Sequence, residues 1–307
     1  MRNRFQGSLM GLAVGDAIGT TVEFQHPGTF EPVTDMTGGG VFELPAGCWT
    51  DDTSMALCMA ESLIVRQGFD ALDQMERYVK WYRTGHLSST GACFDIGNAT
   101  AEALHRFEQT LEPFSGSDSV YAAGNGSIMR LAPAALYFGS DLTEAAKWSA
   151  ESSRTTHAAK ECLDACRLFG VMIASAAAGM GKEELLHPDT FDEIWEEEPL
   201  APRIQEVYKG SYKKLQPPEI VGSGYVVKSL EAALWALHSG SSFEEGVLLA
   251  VNLGNDADTT GAVYGQLAGA LYGIEQIPDR WVKQVAMSEL ILQYADQLFL
   301  HTEKTRA

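Results

Sequence analysis

Positive charge is scarce in this 307-residue sequence. Lysine and arginine together number 22, against 41 aspartate and glutamate residues, which gives a formal net charge of −19 and an isoelectric point near 4.7. No block of basic residues interrupts this acidic excess. Because nucleic-acid binding depends on a positive surface that neutralises phosphates, a nucleic-acid partner is not expected.

Long apolar runs are also lacking. No stretch of about 18 uninterrupted apolar residues is present, so the sequence predicts no membrane span and no membrane partner. Two arginines and a semi-apolar segment open the chain, as in a signal peptide. However, Gln6, Gly7, Ser8 and Gly11 interrupt the apolar core that such a peptide needs, and Asp16 follows directly.

Cysteines with the spacing of a zinc or redox motif are missing. The five cysteines include no CxxC pair. Cys162 and Cys166 lie one helical turn apart, too close on one helix for an ordinary disulfide, and the nearby His157 has no second ligand pair for zinc. We therefore expect reduced, mostly buried thiols in a cytoplasmic protein.

Alternating strand patterns are rare, whereas helical periodicity runs through most of the chain. Phe5, Leu9 and Leu12 recur at i, i+4 and i+7 and form an apolar stripe that leads to "GDAIG". Further helices are predicted at 53–66, 160–178, 226–238 and 279–299. We expect an all-α fold in which residues 1–307 form a single domain, with an acidic, proline-bearing surface insertion at about 181–221.

Glycine recurs at every fourth position between residues 259 and 273. On a helix, Gly261, Gly265, Gly269 and Gly273 would form one bare ridge. Each glycine inside a helix costs about 0.5–1 kcal/mol relative to alanine. The pattern therefore predicts close packing of another backbone, or a close approach to a site, that offsets this cost.

Two acidic clusters stand at predicted helix starts. "WTDDTSM" contains Asp51 and Asp52 between two threonines, and "GNDADTTGA" contains Asp256 and Asp258 before two more. Helix capping and the helix dipole would explain one such cluster on its own. An EF-hand fails because its twelfth position is Leu267 rather than glutamate.

The "DADTT" string also resembles the DxDxT motif of phosphatases. That motif would close a buried strand, whereas this string lies between predicted helices. Two clusters that offer only oxygen ligands favour Mg²⁺ or Mn²⁺ over zinc or copper. Four aspartates in one pocket would need cations between them, which suggests a two-metal site. A third acid, Glu23 in "GDAIGTTVEF", is either a surface residue or an acid–base group beside the metals.

Six motifs in this order resemble the ADP-ribosylglycohydrolase family, and most closely its bacterial dinitrogenase-reductase-activating branch. They are "GDAIGTTVEF", "WTDDTSM", "DIGNAT", "GNGSIMR", "TTHAAKEC" and "GNDADTTGA". The resemblance implies a compact, orthogonal all-α bundle with two divalent cations, Mg²⁺ or Mn²⁺. It also implies hydrolysis of the bond between ADP-ribose and an acceptor.

The resemblance assigns roles residue by residue. The expected metal ligands are Thr50, Asp51, Asp52, Asp256, Asp258 and Thr259. The expected catalytic residues are Glu23, Asp95 and Asp258. The expected substrate-binding residues are Asn98, Gly124, Asn125, Gly126, Ser127, His157, Gly224 and Tyr225. Of these, the "DIGN" residues are expected near the ribose and the glycine-rich segments near the nucleotide.

We hypothesise that the substrate is ADP-ribosylated arginine, held through its distal ribose hydroxyls at the binuclear centre. Serine-linked ADP-ribose, O-acetyl-ADP-ribose and ADP-ribosylated nucleic-acid bases are the alternative substrates. A non-catalytic ADP-ribose-binding protein and a metal-dependent phosphohydrolase are the rival functions. The expected partners are an ADP-ribosylated protein or a small ADP-ribose conjugate, with free ADP-ribose as product, and the expected state is a monomer.

Overall fold

The computed structural model describes residues 1–306, and among these residues no β-strand forms. The helices, in chain order, are α1 (Arg2–Gly19), α2 (Asp51–Arg66), α3 (Ala71–Thr84), α4 (Asn98–Thr110), α5 (Ala132–Tyr137), α6 (Leu142–Arg154), α7 (Lys160–Ala178), α8 (Lys182–Leu185), α9 (Pro202–Tyr208), α10 (Val226–Ser239), α11 (Phe243–Val251), α12 (Ala257–Tyr272), α13 (Asp279–Gln284) and α14 (Ser288–Arg306). Short 3₁₀ turns join several of them. The predicted all-α fold is confirmed.

Helices α2, α7 and α10 lie where the sequence predicts them, but the single helix predicted over 279–299 is wrong. The chain forms α13 and α14 there, with Met287 between them in the left-handed region at φ 54°. The Ala286 N–H donates to the Gly47 carbonyl, and the Ala286 carbonyl accepts from the Trp49 indole at 3.0 Å. These long-range bonds take the backbone groups that a continuous helix would have paired internally.

Helices α1 and α12 run antiparallel at the centre of the fold with their backbones in contact. A Cβ added to Gly265 would lie 1.9 Å from the Gly11 carbonyl oxygen, and one added to Gly269 would lie 1.9 Å from that of Gly7. The predicted glycine ridge therefore does serve close packing. Its partner surface is a second series on α1, with Gly15 facing Gly261 in the same way.

Helices α2, α7, α10, α11 and α14 pack around this central pair. The segment 181–221 lies against α7 and α10, and it contributes apolar side chains such as Trp195, Ile204 and Tyr212 to the buried core. The predicted surface segment thus also has a packed inner face.

The five cysteines are free thiols, and Cys58, Cys162 and Cys166 are buried. Burial raises the pKa of the Cys166 thiol to about 11, which keeps it protonated at neutral pH. No helix within residues 1–306 combines the length and the apolar character needed to cross a bilayer.

Candidate functional site

A cavity of about 870 Å³ opens where α2, α4 and α12 begin. Carboxylates from four parts of the chain line it, together with a glycine-rich wall and two histidines, His26 and His157. The predicted site residues in its lining are Glu23, Asp51, Asp52, Asp95, Asn98, Gly124, Asn125, Gly126, His157, Gly224, Asp256, Asp258 and Thr259.

Helix α1 holds the start of α2 through a buried carboxylate. Asp16 Oδ1 accepts from the N–H of Thr50 at 2.9 Å and from its hydroxyl at 3.0 Å. Asp16 Oδ2 accepts from the N–H of Thr53 at 3.1 Å and from its hydroxyl at 2.6 Å. These four bonds satisfy N–H groups that a helix start leaves unpaired, and they fix Asp51 and Asp52 in the first turn.

The same helix fixes the start of α12. A Cβ on Gly19 would lie 2.4 Å from the Ala257 carbonyl oxygen and 2.5 Å from the Asp258 Cα. The glycine packing therefore extends into the site and brings Asp258 against the end of α1. Both acidic helix starts are thus positioned by one central helix.

Side chains of the two acidic helix starts meet across the cavity. The Thr50 hydroxyl lies 3.3 Å from Asp258 Oδ2, and the Thr259 hydroxyl lies 3.5 Å from Asp52 Oδ1. Glu23, Asp95 and Asp258 each place a carboxylate oxygen within 4.8 Å of the other two. The predicted metal ligands thus come together at one place although about 200 residues separate them in the sequence.

Several oxygens in this cluster are buried without a hydrogen-bond donor. Glu23 Oε2, Asp52 Oδ2 and Asp258 Oδ1 have no partner among the described residues. Burying an unpaired charged oxygen is costly unless a cation or a proton compensates it. Carboxylate and hydroxyl oxygens in this number are the ligands that Mg²⁺ and Mn²⁺ prefer, so the residues fit a divalent-cation site.

The electrostatics of the cluster lead to the same conclusion. Burial, together with the neighbouring Asp95 charge, raises the pKa of Glu23 to about 9. Burial also raises the pKa of Asp95 to about 7, with the Asp16 charge adding to the effect. The pKa values of Asp52 and Asp258 lie well above the ordinary range, again mainly through burial. Without cations the cluster retains protons that ordinary carboxyl groups would release.

A glycine-rich wall faces the acidic cluster. The 123–125 segment pairs with the 224–226 segment, because the Asn125 N–H donates to the Gly224 carbonyl and the Val226 N–H donates to the Ala123 carbonyl. The Asn125 side-chain amide donates to Asp256 Oδ2 at 2.6 Å and so joins this wall to the start of α12.

His157 lies beneath the glycine-rich wall, with one ring nitrogen fixed and the other directed toward the cavity lining. Its Nδ1 lies 2.8 Å from the Thr156 hydroxyl, which itself accepts from the Arg130 guanidinium at 2.7 Å. Because the hydroxyl oxygen already accepts from Arg130, its proton is free to donate to Nδ1. When the hydroxyl donates to Nδ1, the neutral imidazole carries its proton on Nε2, close beneath Gly124 and Gly126.

The imidazole of His157 is neutral at pH 7. Burial, helped by the nearby Arg130 charge, lowers its pKa to about 3. Arg130 is itself completely buried, and it also donates to the Gly126 carbonyl at 2.5 Å and lies over the Tyr78 ring. A neutral N–H donor with a buried cation behind it suits a negatively charged ligand group.

Three predicted residues lie outside the lining of this cavity. Thr50 is buried behind it, between Asp16 and Asp258. Ser127 points into the protein and accepts from the Ser153 hydroxyl at 2.8 Å. Tyr225 lines a neighbouring cavity of about 540 Å³, where its hydroxyl donates to Glu161 at 2.7 Å.

The sequence patterns do not identify two residues that position the site. Asp16 stands inside the quoted "GDAIG" and Arg130 ends "GNGSIMR", yet neither is among the predicted site residues. A charged residue within an otherwise small and apolar segment signals a buried, hydrogen-bonded group. Both side chains are completely buried here and bond to predicted site segments.

Comparisons with known proteins identify relatives over the whole chain. The family model for ADP-ribosylglycohydrolase matches residues 1–307. ADP-ribosylarginine hydrolase Tri1 of Pseudomonas putida is 44% identical over 97% of this chain and 78% of its own length. The ADP-ribosyl-[dinitrogen reductase] glycohydrolase of Rhodospirillum rubrum is 32% identical over 94% of this chain and 92% of its own length.

A solved structure has the same fold. This structure, of an ADP-ribosylglycohydrolase-related protein complex, superposes with a TM-score of 0.87 at 43% sequence identity. The match covers 98% of each chain, so the helical arrangement agrees along nearly the full length.

Proposed function

The chain belongs to the ADP-ribosylglycohydrolase family and is a hydrolase of that type, and we propose that it removes ADP-ribose from ADP-ribosylated arginine. The observation that carries this proposal is the set of unpaired carboxylate oxygens from α2, α12 and the Glu23 turn, gathered in one cavity. The relative named for ADP-ribosylarginine supports arginine as the acceptor, and the relative named for dinitrogen reductase supports a protein substrate.

In this proposal two divalent cations, Mg²⁺ or Mn²⁺, complete the site. Their ligands are Thr50, Asp51, Asp52, Asp256, Asp258 and Thr259. When bound, such cations supply positive charge that neutralises the carboxylates and holds the hydroxyl oxygens of the distal ribose. Locally positive charge also matters because ADP-ribose is anionic and the chain carries a formal charge of −19.

The opposite wall holds the remainder of ADP-ribose. The His157 Nε2–H and the Gly126 N–H donate to the diphosphate or to the ribose next to it. Asn98, at the start of α4 and in the cavity lining, contacts the distal ribose beside the bond that breaks. Gly224 has no side chain and so leaves room for the nucleotide. Tyr225 lies at the far end of the nucleotide.

The chemistry breaks the bond between the anomeric carbon and the guanidine nitrogen and forms a bond from that carbon to a water oxygen. One proton leaves the water, and one proton arrives on the departing nitrogen. In this proposal Asp95 and Glu23 take the first proton and supply the second. The Asp95 carboxylate also favours a cationic guanidinium over an uncharged serine linkage.

The proposed enzyme is a cytoplasmic monomer. The free thiols fit a reducing compartment. Free ADP-ribose and the unmodified acceptor are its products.

The test measures ADP-ribose release from an arginine-linked substrate beside a serine-linked one, with Mn²⁺, Mg²⁺ or EDTA. Metal-dependent release from the arginine substrate alone is expected. Release from the serine substrate alone would support the metal-dependent reaction but contradict arginine as the acceptor. If neither substrate releases ADP-ribose but the protein still binds ADP-ribose, the chain would be a binding protein or an enzyme for a different ADP-ribose linkage.

An Asp256→Ala variant tests the ligand assignment. It should lose both tight Mn²⁺ binding and turnover, whereas Asp279→Ala, an exposed carboxylate at the start of α13, should retain both. Activity in metal-stripped Asp256→Ala protein would contradict the proposal.

A further inference from the structure

Three phenylalanines form an aromatic cluster in which Phe24 lines the cavity and Phe42 and Phe94 are half-buried. The ring of Phe42 lies 6.5 Å from that of Phe24 and 5.2 Å from that of Phe94, with both pairs edge to face. Each ring comes from a different loop: the turn after α1, the 38–47 loop and the segment before α4. We call these three residues the phenylalanine ridge.

The ridge presents apolar surface to solvent. Phe24 is 62% exposed although it also lines the cavity, and the neighbouring Val41 is 60% exposed. Large apolar side chains that cluster beside a cavity, rather than being scattered singly, are typical of an interaction surface.

The backbone holds Phe24 in this exposed position at a conformational cost. Its φ of 60° lies in the left-handed region, which phenylalanine rarely adopts. The Phe24 N–H donates to the Asn255 carbonyl at 2.6 Å, and the Asn255 N–H donates to the Gln25 carbonyl at 2.7 Å. These bonds attach Phe24 to the loop that carries Asp256, so the ring is fixed beside the acidic cluster.

The location identifies which part of a substrate the ridge would meet. Phe24 directly follows Glu23, and Phe94 directly precedes Asp95, the two residues placed at the breaking bond. The glycine-rich wall and His157, which hold ADP-ribose in the proposed function, belong to other segments. The group bonded at the anomeric carbon, and whatever it is attached to, therefore lies beside the ridge.

We propose that the phenylalanine ridge binds the acceptor side of the substrate, namely the aliphatic stem of the modified arginine and apolar side chains that flank it in the acceptor protein. This inference rests on the proposed function and extends it to the acceptor. The charges agree, because the half-buried Asp95 and the exposed Glu43 next to Phe42 complement a cationic guanidinium. Aromatic rings also bind guanidinium groups and aliphatic stems favourably.

Two peptides of equal length, each with one ADP-ribosylated arginine, provide the test. One has leucine on both sides of the arginine and the other has serine. The measured quantity is the ratio of kcat/KM for the leucine peptide to that for the serine peptide. We expect a ratio of at least about five for the unaltered protein and a ratio near one for Phe24→Asn and for Phe42→Ala.

The choice of asparagine at position 24 keeps the left-handed backbone accessible. Leu111→Asn is the matched control, because Leu111 is 69% exposed, has a φ of 59° and stands at the far end of α4. This control should keep the ratio of the unaltered protein.

The outcomes separate the two proposals. If the unaltered protein and both ridge variants release ADP-ribose with the same kcat/KM ratio for the two peptides, the phenylalanine ridge does not bind the acceptor. The proposed function would still stand. No metal-dependent release from either peptide by the unaltered protein would overturn both. A dimer in sedimentation that Phe24→Asn dissociates would assign the ridge to a second copy of the chain and so overturn the acceptor assignment.

Discussion

At the scale of single residues, Asp16 links the first helix to the start of the second. Its two carboxylate oxygens accept four hydrogen bonds from Thr50 and Thr53. Burial raises the pKa of Asp16 to about 6, while the four donors limit the increase. The residue acts through Thr50, a proposed metal ligand, and so positions the site from behind.

Replacing Asp16 with asparagine should weaken Mn²⁺ binding about 10–100-fold, the usual effect of removing a group that orients a metal ligand. The amide nitrogen of asparagine would replace one of the two carboxylate oxygens and could not accept the hydrogen bonds from Thr50 or from Thr53, so those donors would be unpaired. Calorimetric titration with Mn²⁺ measures the change. Asp164→Asn is the control, because Asp164 is equally buried and accepts from the Ala201 N–H, yet it stands on α7 outside the cavity. Equal Mn²⁺ affinity in both variants would contradict the role of Asp16.

The bonds from Arg130 through Thr156 to His157 lead to a second prediction at this scale. Thr156→Val removes the hydroxyl that fixes the imidazole tautomer, so Nε2 would no longer be a dedicated donor. A hydrogen bond to a charged group contributes about 1.5–3 kcal/mol, which corresponds to weaker ADP-ribose binding by about 10–100-fold. Calorimetry measures the affinity, and ¹⁵N chemical shifts of the ring report the tautomer.

Thr155→Val is the control for this prediction. The Thr155 hydroxyl also contacts Arg130, at 3.4 Å, but it donates to the Ser152 carbonyl and not to His157. Both the ring tautomer and the ADP-ribose affinity should remain unchanged in that variant. An unchanged ¹⁵N spectrum in Thr156→Val would show that the hydroxyl does not determine the tautomer.

At the scale of helices, the contact between α1 and α12 has no space for a side chain. A methyl group at Gly265 would overlap the Gly11 carbonyl, which belongs to a helix backbone and cannot rotate away. Overpacking of a core typically costs about 1–3 kcal/mol, and alanine returns about 0.5–1 kcal/mol of helix propensity. The overlap with a backbone atom places the cost at the upper end of its range, so Gly265→Ala should lower the free energy of unfolding by about 2 kcal/mol, measured by urea denaturation.

Gly68→Ala is the matched control. A Cβ there meets no atom within 4 Å, and the residue lies between α2 and α3 away from a left-handed backbone. Its free energy of unfolding should stay within about 1 kcal/mol of that of the unaltered protein. Comparable losses in the two variants would mean that the close approach of α1 and α12 does not limit side-chain size.

The helices also show how far the sequence alone determines the fold. The bounds of α2, α7 and α10 follow from local apolar spacing, with glycine at the C-terminal ends of α7 and α10, so they are predictable. The break at Ala286 is not, because it depends on a bond to Gly47, about 240 residues away. The glycine series on α12 indicates a packing ridge, but its spacing alone does not identify the partner series on α1.

The candidate site shows the same division between local and distant information. The oxygen-rich composition of each acidic cluster is visible in the sequence, and a cation is a reasonable inference from it. Their convergence depends on Gly15 and Gly19, which let α1 bring the two helix starts together. The orientation of Ser127 away from the cavity depends on Ser153, a contact that no local pattern indicates.

At the scale of the whole molecule, the acidic cluster links stability to pH. The pKa values of Asp16, Asp95 and Glu23 are raised to about 6, 7 and 9 in the metal-free fold. An unfolded chain would release these protons near pH 4. Between about pH 4 and about pH 9 the folded state holds more protons than the unfolded state, so the free energy of unfolding falls as the pH rises.

Bound cations should reverse this loss, because they occupy the positions that the protons leave. Protons compete with cations at low pH, so the stabilisation by Mn²⁺ should be small at about pH 5.5 and larger at about pH 8. Thermal unfolding with EDTA and with Mn²⁺ at both pH values measures the two differences in Tm. Asp52→Asn replaces one buried carboxylate oxygen with an amide nitrogen and removes the charge, so it should reduce the gain at the higher pH. A metal-free Tm that rises between these pH values, or an equal Mn²⁺ gain at both, would contradict the linkage between the acidic cluster, its protons and the cations.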